Sequence, residues 1–211
     1  MLLPRPRIRR LTQLYVGLVL YGTSSGMMLA AGLGVDPWDV FHQGLSRRVG
    51  LSVGTWVILV GAAVLALWLP LRQRPGFGTL SNVIVVGVGV DAFLAVVDQP
   101  HSLVARIALL ACGVLLNGVA TGCYIGAGLG PGPRDGLMIG LAARGHSIRA
   151  ARTGIEVTVL VVGFLLGGTV GVGTLVYALA IGPLAHVFVP ALSIDGRVRA
   201  AGISRPSPAV R

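Results

Sequence analysis

The sequence predicts an all-α membrane protein with six transmembrane helices, arranged as two inverted three-helix repeats that each carry a short interfacial or re-entrant helix. Three observations lead there. Hydrophobic residues make up 54% of the 211 and charged residues only 11%, with a mean hydropathy of +0.83, too apolar for a water-facing surface. The charges cluster at the ends and in short breaks. Between them lie apolar runs near the ~20 residues that cross ~30 Å of hydrocarbon. Finally, the second half of the chain repeats the first.

Residues 1–10 are a basic N-terminus with Arg5, Arg7, Arg9 and Arg10, expected in the cytoplasm. The first span, 11–32, imitates a secretion signal, but its apolar stretch is longer than a cleaved leader's core, so it reads as an uncleaved anchor. Spans at 52–71 and 77–97 complete repeat one, residues 11–97. Spans at 103–126, 153–169 and 171–191 form repeat two, residues 103–191, with Gly167-Gly168-Thr169-Val170-Gly171 as the tight turn between the last two. Residues 192–211 read as a basic, disordered cytoplasmic tail.

Net charge is +10, and every basic side chain is arginine. These arginines flank apolar spans, which points to anionic lipid headgroups and topology, not to nucleic acid. With the N-terminus inside, only Arg47, Arg48 and Arg106 fall outside, so both ends are expected in the cytoplasm. Cys112 and Cys123 fall in one predicted helix, about 16 Å apart along its axis. That is too far for a disulfide, and both read as small core residues.

The internal repeat is the most informative feature. Gly32-Leu33-Gly34-Val35-Asp36-Pro37-Trp38-Asp39 recurs 96 residues later as Gly128-Leu129-Gly130-Pro131-Gly132-Pro133-Arg134-Asp135. After a one-residue deletion, Gly76-x-Gly78-Thr79-Leu80 recurs 95 residues on as Gly171-x-Gly173-Thr174-Leu175. Three spans per repeat is an odd number, so the second copy must enter the membrane upside down, an arrangement common in secondary transporters.

Asp36-Pro37-Trp38-Asp39 has the form of a helix start, with Asp36 as N-cap, Pro37 at the first position and Asp39 at the third. Gly132-Pro133-Arg134-Asp135 copies it. The helices that follow either dip into the membrane from opposite sides, as at a transporter site, or lie in the interface and close the bundle. Arg134 favours an anionic group in the second copy, whereas Asp36 and Asp39 already occupy the positive helix end in the first.

Ionisable groups at membrane depth are costly unless paired. Asp91 in the third span corresponds to His186 in the sixth, a pair that would relay protons, bind a cation, or serve as a structural contact. Arg152 and Glu156 have the i,i+4 spacing of a structural ion pair. Asn82 and Asn117 read as interhelical hydrogen-bond partners, and Gly22-x-x-x-Gly26 and Gly118-x-x-x-Gly122 as close helix packing within the monomer. No nucleotide, nucleophile or metal motif has the required context, so neither an enzyme nor a cofactor is expected.

The segments Arg10–Leu18, Gly32–Leu45, Gly78–Asn82 and Gly130–Met138 resemble the YczE/YyaS/YitT family, closest to its YczE-like branch. The resemblance covers nearly the whole chain and implies a bacterial plasma-membrane protein without the soluble C-terminal domain of YitT-like members. The function expected is a transporter or permease of unknown substrate, a small molecule or ion, with Asp36, Asp39, Asp91, Arg134, Asp135 and His186 as its pathway. The alternative is a non-transporting accessory or scaffold protein acting through a partner, with a channel as a third reading. A homo-oligomer stays open.

Overall fold

The computed structural model describes residues 4–145 and 147–194. The basic tail expected from 192 onward lies, beyond Ile194, outside the described residues. Eight helices follow one another: α1 (Arg7–Ala31), α2 (Pro37–Val49), α3 (Val53–Trp68), α4 (Phe77–Leu94), α5 (Leu103–Gly126), α6 (Pro133–Ala142), α7 (Ile148–Leu165) and α8 (Val172–Leu192). Four of them, α1, α4, α5 and α8, are long and apolar enough to cross a membrane. α2 and α3 meet at 114° and reach that length only together, as one broken span or a re-entrant loop, so the candidate spans number four or five where six were expected. α7 is 18 residues long and carries Arg149, Arg152 and Glu156 in its first half.

Local chemistry sets the helix ends. Asp36 caps α2, its Oδ1 accepting from the N–H groups of Trp38 and Asp39, with Pro37 at the first position. Ser52, Ser102 and Ser147 cap α3, α5 and α7. Thr79 and Thr174 reach back to the backbone N–H of Gly76 and Gly171 at the starts of α4 and α8. α1 closes at Gly32 and α2 at Gly50, both left-handed. α3 stops at Trp68, short of the expected residue 71, because Pro70 disfavours helix at the residue before it.

The core is the crossing of α1 and α5. A Cβ on Gly17 would sit 2.7 Å from the Tyr124 backbone nitrogen, and one on Gly113 would sit 3.1 Å from the Ser24 carbonyl oxygen. Rising residue numbers in α1 thus meet falling numbers in α5, so the two helices are antiparallel. Each also holds the other's end. Arg10 donates to the Ala127 carbonyl at 2.8 Å, and Arg106 donates to the carbonyls of Ala31 and Gly32 at 2.6 and 2.7 Å. Positions 10 and 106 are equivalent in the repeat, as are 31 and 127. A guanidinium at a helix C-terminus satisfies orphan carbonyls and complements the helix dipole.

The loops after α1 and α5 exchange places in the same way. Gly173 donates its N–H to Leu33 and Gly78 donates to Leu129, both at 2.8 Å. Gly34 and Gly130 are left-handed, with φ of 104° and 123°, so that each loop can lie on the start of the other half's last helix. The Gly-Leu-Gly and Gly-x-Gly-Thr-Leu blocks are therefore the two sides of one contact, made twice.

α4 packs on α1 and α8 on α5. Gly22 and Gly26 face Val86, Gly89 and Phe93 of α4, and Gly118 and Gly122 face Leu184 and Phe188 of α8. The small-residue stripes thus act within the monomer, as expected, and inside each half. α2 packs on α7, and α6 on α3. Of the two cysteines, Cys123 is buried while Cys112 is exposed, which corrects the expectation that both are core residues.

Candidate functional site

α2 and α6 both run outward from the interior. Pro37's neighbour Trp38 and the first residue of α6, Pro133, are buried, whereas Val49 and Gly145 at the far ends are exposed. The two proline-started N-termini therefore converge. Trp38 and Arg134, equivalent in the repeat, meet face to face, with the guanidinium carbon 4.8 Å from the indole centroid. Arg134 also lies 3.4 Å from Asp36 Oδ1 and 3.9 Å from Asp39 Oδ1. His42 Nδ1 is 3.1 Å from the same Asp39 oxygen, and because a carboxylate only accepts, His42 carries the donor proton there. On the α6 side, the Tyr124 hydroxyl donates to Asp135 Oδ2 at 2.9 Å, and Trp68 Nε1 donates to the Pro133 carbonyl at 3.0 Å.

One guanidinium thus faces the carboxylates of Asp36 and Asp39, while the carboxylate of Asp135 is held by Tyr124. Asp36 and Asp39 are each only 2% exposed, and the Oδ2 of each lacks a hydrogen-bond partner. Three cavities surround the cluster, and Tyr21 and Asp135 line all of them. The first, about 80 Å³, reaches His42 and Asn82. The second, about 490 Å³, lies between α5 and α8 and reaches Arg152, Tyr177 and His186. The third, about 140 Å³, reaches Asp36, Glu156 and Tyr177. Among the described residues no three His, Cys, Asp or Glu side chains are grouped to hold a metal ion.

Of the six residues named from sequence, the structure brings Asp36, Asp39, Arg134 and Asp135 together and sets His186 on a cavity wall. Asp91 stands apart. It accepts from the Ser52 hydroxyl at 2.6 Å and the Gly54 N–H at 2.7 Å, serving the start of α3 and not His186. The Asp91–His186 pair expected at the repeat interface is not made, because α4 directs Asp91 to an orphan helix start in its own half. Asp91→Asn should accordingly cost about 1 kcal/mol of stability, the scale of a lost cap, read as a modest fall in the unfolding midpoint in detergent.

Arg152 and Glu156 pair at 3.0 Å, as their spacing implied. Asn117 does bridge helices, donating to Ser24 and accepting from the Tyr177 hydroxyl. The residues that sequence reasoning missed are Tyr21, Trp38, His42, Tyr124 and Tyr177. A signal existed for two of them. Tyr21 is the repeat equivalent of Asn117, and Tyr177 that of Asn82, so each asparagine already singled out had an unnoticed tyrosine partner.

A profile described as a family of unknown function, DUF6198, matches residues 8–190. The chain belongs to DUF6198. Relatives agree with it. An uncharacterized protein of Haemophilus influenzae is 38% identical over 177 residues, 83% of this chain and 81% of its own. The Bacillus subtilis "uncharacterized membrane protein YczE" is 33% identical over 186 residues, 87% of this chain and 86% of its own. From the same organism, "uncharacterized protein YyaS" is 30% identical over 182 residues, 83% of this chain and 90% of its own. No solved structure matches. The resemblance read from the Asp-Pro-Trp-Asp and Gly-Pro-Arg-Asp blocks is borne out, and this DUF6198 chain is a multi-pass membrane protein.

Proposed function

We propose that this DUF6198 protein is a permease-like transporter of two inverted three-span repeats, α1–α4 and α5–α8, set in the bacterial plasma membrane with both termini cytoplasmic. One observation carries the reading. Two outward-running half-helices point their N-termini at a buried charged cluster ringed by cavities, the arrangement by which broken helices hold solutes near mid-membrane. The antiparallel α1–α5 pair and the reciprocal Arg10 and Arg106 contacts support the inversion. The arginine distribution supports the orientation.

The test is thiol accessibility in a chain with Cys112 and Cys123 replaced. Leu51→Cys should label with an impermeant reagent only from outside, and Arg149→Cys only from the cytoplasm. His186→Cys should label through the cavity from at least one side. Labelling of positions 51 and 149 from the same side would overturn the inverted topology. Complete protection of position 186 from both sides would overturn the aqueous route and favour a scaffold that acts through a partner.

A further inference from the structure

We propose that α7 is a lid over the cavity between α5 and α8, hinged at its glycine-rich end and closing on α8. The motion stands by itself, whereas its service to a transported solute rests on the reading above. The two halves of the chain differ at this place. In the first half α3 packs on α4, and a Cβ on Gly87 would lie 2.5 Å from the Gly54 carbonyl oxygen. Asp91 fastens that pair by accepting from Ser52 and Gly54 at the start of α3. In the second half α7 and α8 barely meet. Nothing lies within 4 Å of a Cβ on Gly182, the equivalent of Gly87. His186, in the place of Asp91, is exposed and lines the cavity of about 490 Å³ that fills the gap.

Side-chain chemistry explains why the gap stands open. Arg149, Arg152 and Glu156 occupy the positions of Gly54, Val57 and Gly61, so a face that is small and apolar on α3 is bulky and charged on α7. Arg152 lines the gap and pairs with Glu156. Dry closure would strip water from that pair, so the empty cleft favours the open form, and a solute that engages the pair favours the closed one. Attachment decides which helix moves. α8 is held along α5, with Leu184 on Gly118, Phe188 on Gly122 and Leu192 on Gly126. The buried residue of α7 is Gly163, near its far end, where a Cβ would lie 2.5 Å from the Phe41 nitrogen of α2. Residues 148–150 and 152–154, at its start, are exposed. Ile155 and Val159 rest partly buried on the cluster of Trp38, Val64, Trp68 and Leu137, an apolar surface along which a helix can slide. Gly167, left-handed at φ 97°, and Gly168 follow α7 at once, and small residues at the end of an element absorb a rotation. Closure would carry the start of α7 to His186, as the start of α3 meets Asp91.

The experiment is double electron–electron resonance on the full chain, with Cys112 and Cys123 replaced, in phosphatidylethanolamine–phosphatidylglycerol bilayers. Spin labels at Ala150→Cys and Val187→Cys read α7 against α8, and labels at Leu59→Cys and Val88→Cys read α3 against α4. All these positions are exposed, so the labels leave the packing alone. The α7–α8 pair should give a broad or double distance distribution, and the α3–α4 pair a single narrow one. Arg149→Cys with Gly182→Cys, equivalent to the touching Gly54 and Gly87, should form a disulfide on mild oxidation, which needs Cα atoms within about 7 Å. Adding Arg152→Val and Glu156→Ala should speed that bond about tenfold, because closure then strips water from no ion pair. A distribution between α7 and α8 as narrow as that between α3 and α4 overturns the lid. So does failure of the disulfide to form in the folded variant. An unchanged rate after Arg152→Val and Glu156→Ala overturns the part given to the charged pair. A moving α7 over a position 186 sealed from both sides would keep the lid and sink the transporter.

Discussion

Arg134→Met should destabilise the protein by about 3–5 kcal/mol, the usual cost of removing one partner from a buried charge pair. The guanidinium faces Asp36 and Asp39 and stacks on Trp38, so its loss strands carboxylates that are 2% exposed. The cost comes more from the charges left unpaired than from the vanished stacking on Trp38, and that distinction is measurable. Adding Asp36→Asn and Asp39→Asn to Arg134→Met should restore most of the unfolding midpoint in detergent, because a neutral cluster needs no cation. Lack of any recovery in the triple variant would mean that Arg134 works through packing on Trp38 and not through charge.

Gly17→Ala should cost about 1–3 kcal/mol, the range for overpacking a tight contact. The added Cβ would lie 2.7 Å from the Tyr124 nitrogen and 2.8 Å from the Cys123 Cβ, and a helix backbone cannot step aside as a side-chain tip can. Gly113→Ala, at the equivalent position, should cost less, since its nearest neighbour is the Met28 Cγ at 2.9 Å and methionine re-packs readily. Gly154→Ala is the control. Nothing lies within 4 Å of its added Cβ, and helix propensity alone should raise stability by about 0.5–1 kcal/mol. Unfolding midpoints in one detergent would rank the three. Equal effects at positions 17 and 154 would show that α1 and α5 cross with room for a methyl group between them.

Much of the fold is legible along the chain because membrane helices obey local rules. Apolar length places the six longer helices to within five residues, and Pro37 and Pro133 at first positions mark where the two short ones begin. The duplication is legible too, since Gly-Leu-Gly and Gly-x-Gly-Thr-Leu recur in order. The site was half legible. Asp36, Asp39, Arg134 and Asp135 stand in the repeated blocks and do meet, whereas Asp91 and His186, equivalent on paper, serve different neighbours. Equivalence in a repeat says that two residues have matching positions in two halves. It does not say that they touch, because contact also depends on what each helix packs against, and Asp91 is taken up by Ser52 and Gly54 at the start of α3.

By itself the sequence determined that this is a helical, multi-pass membrane protein whose chain repeats its own motifs, with three of its seven acidic residues, Asp36, Asp39 and Asp135, at helix starts. Those properties follow from burial energies and backbone capping, which act over a few residues. The tertiary structure alone decided that Trp38 and Arg134 stack, that Arg10 and Arg106 each hold the other half's central helix, and that His42 joins Asp39 to a cavity. These contacts join residues about a hundred positions apart or lie on one face of a short helix. Their distances depend on the angle and depth at which α1 crosses α5, and that crossing is set by side-chain packing that no local pattern encodes.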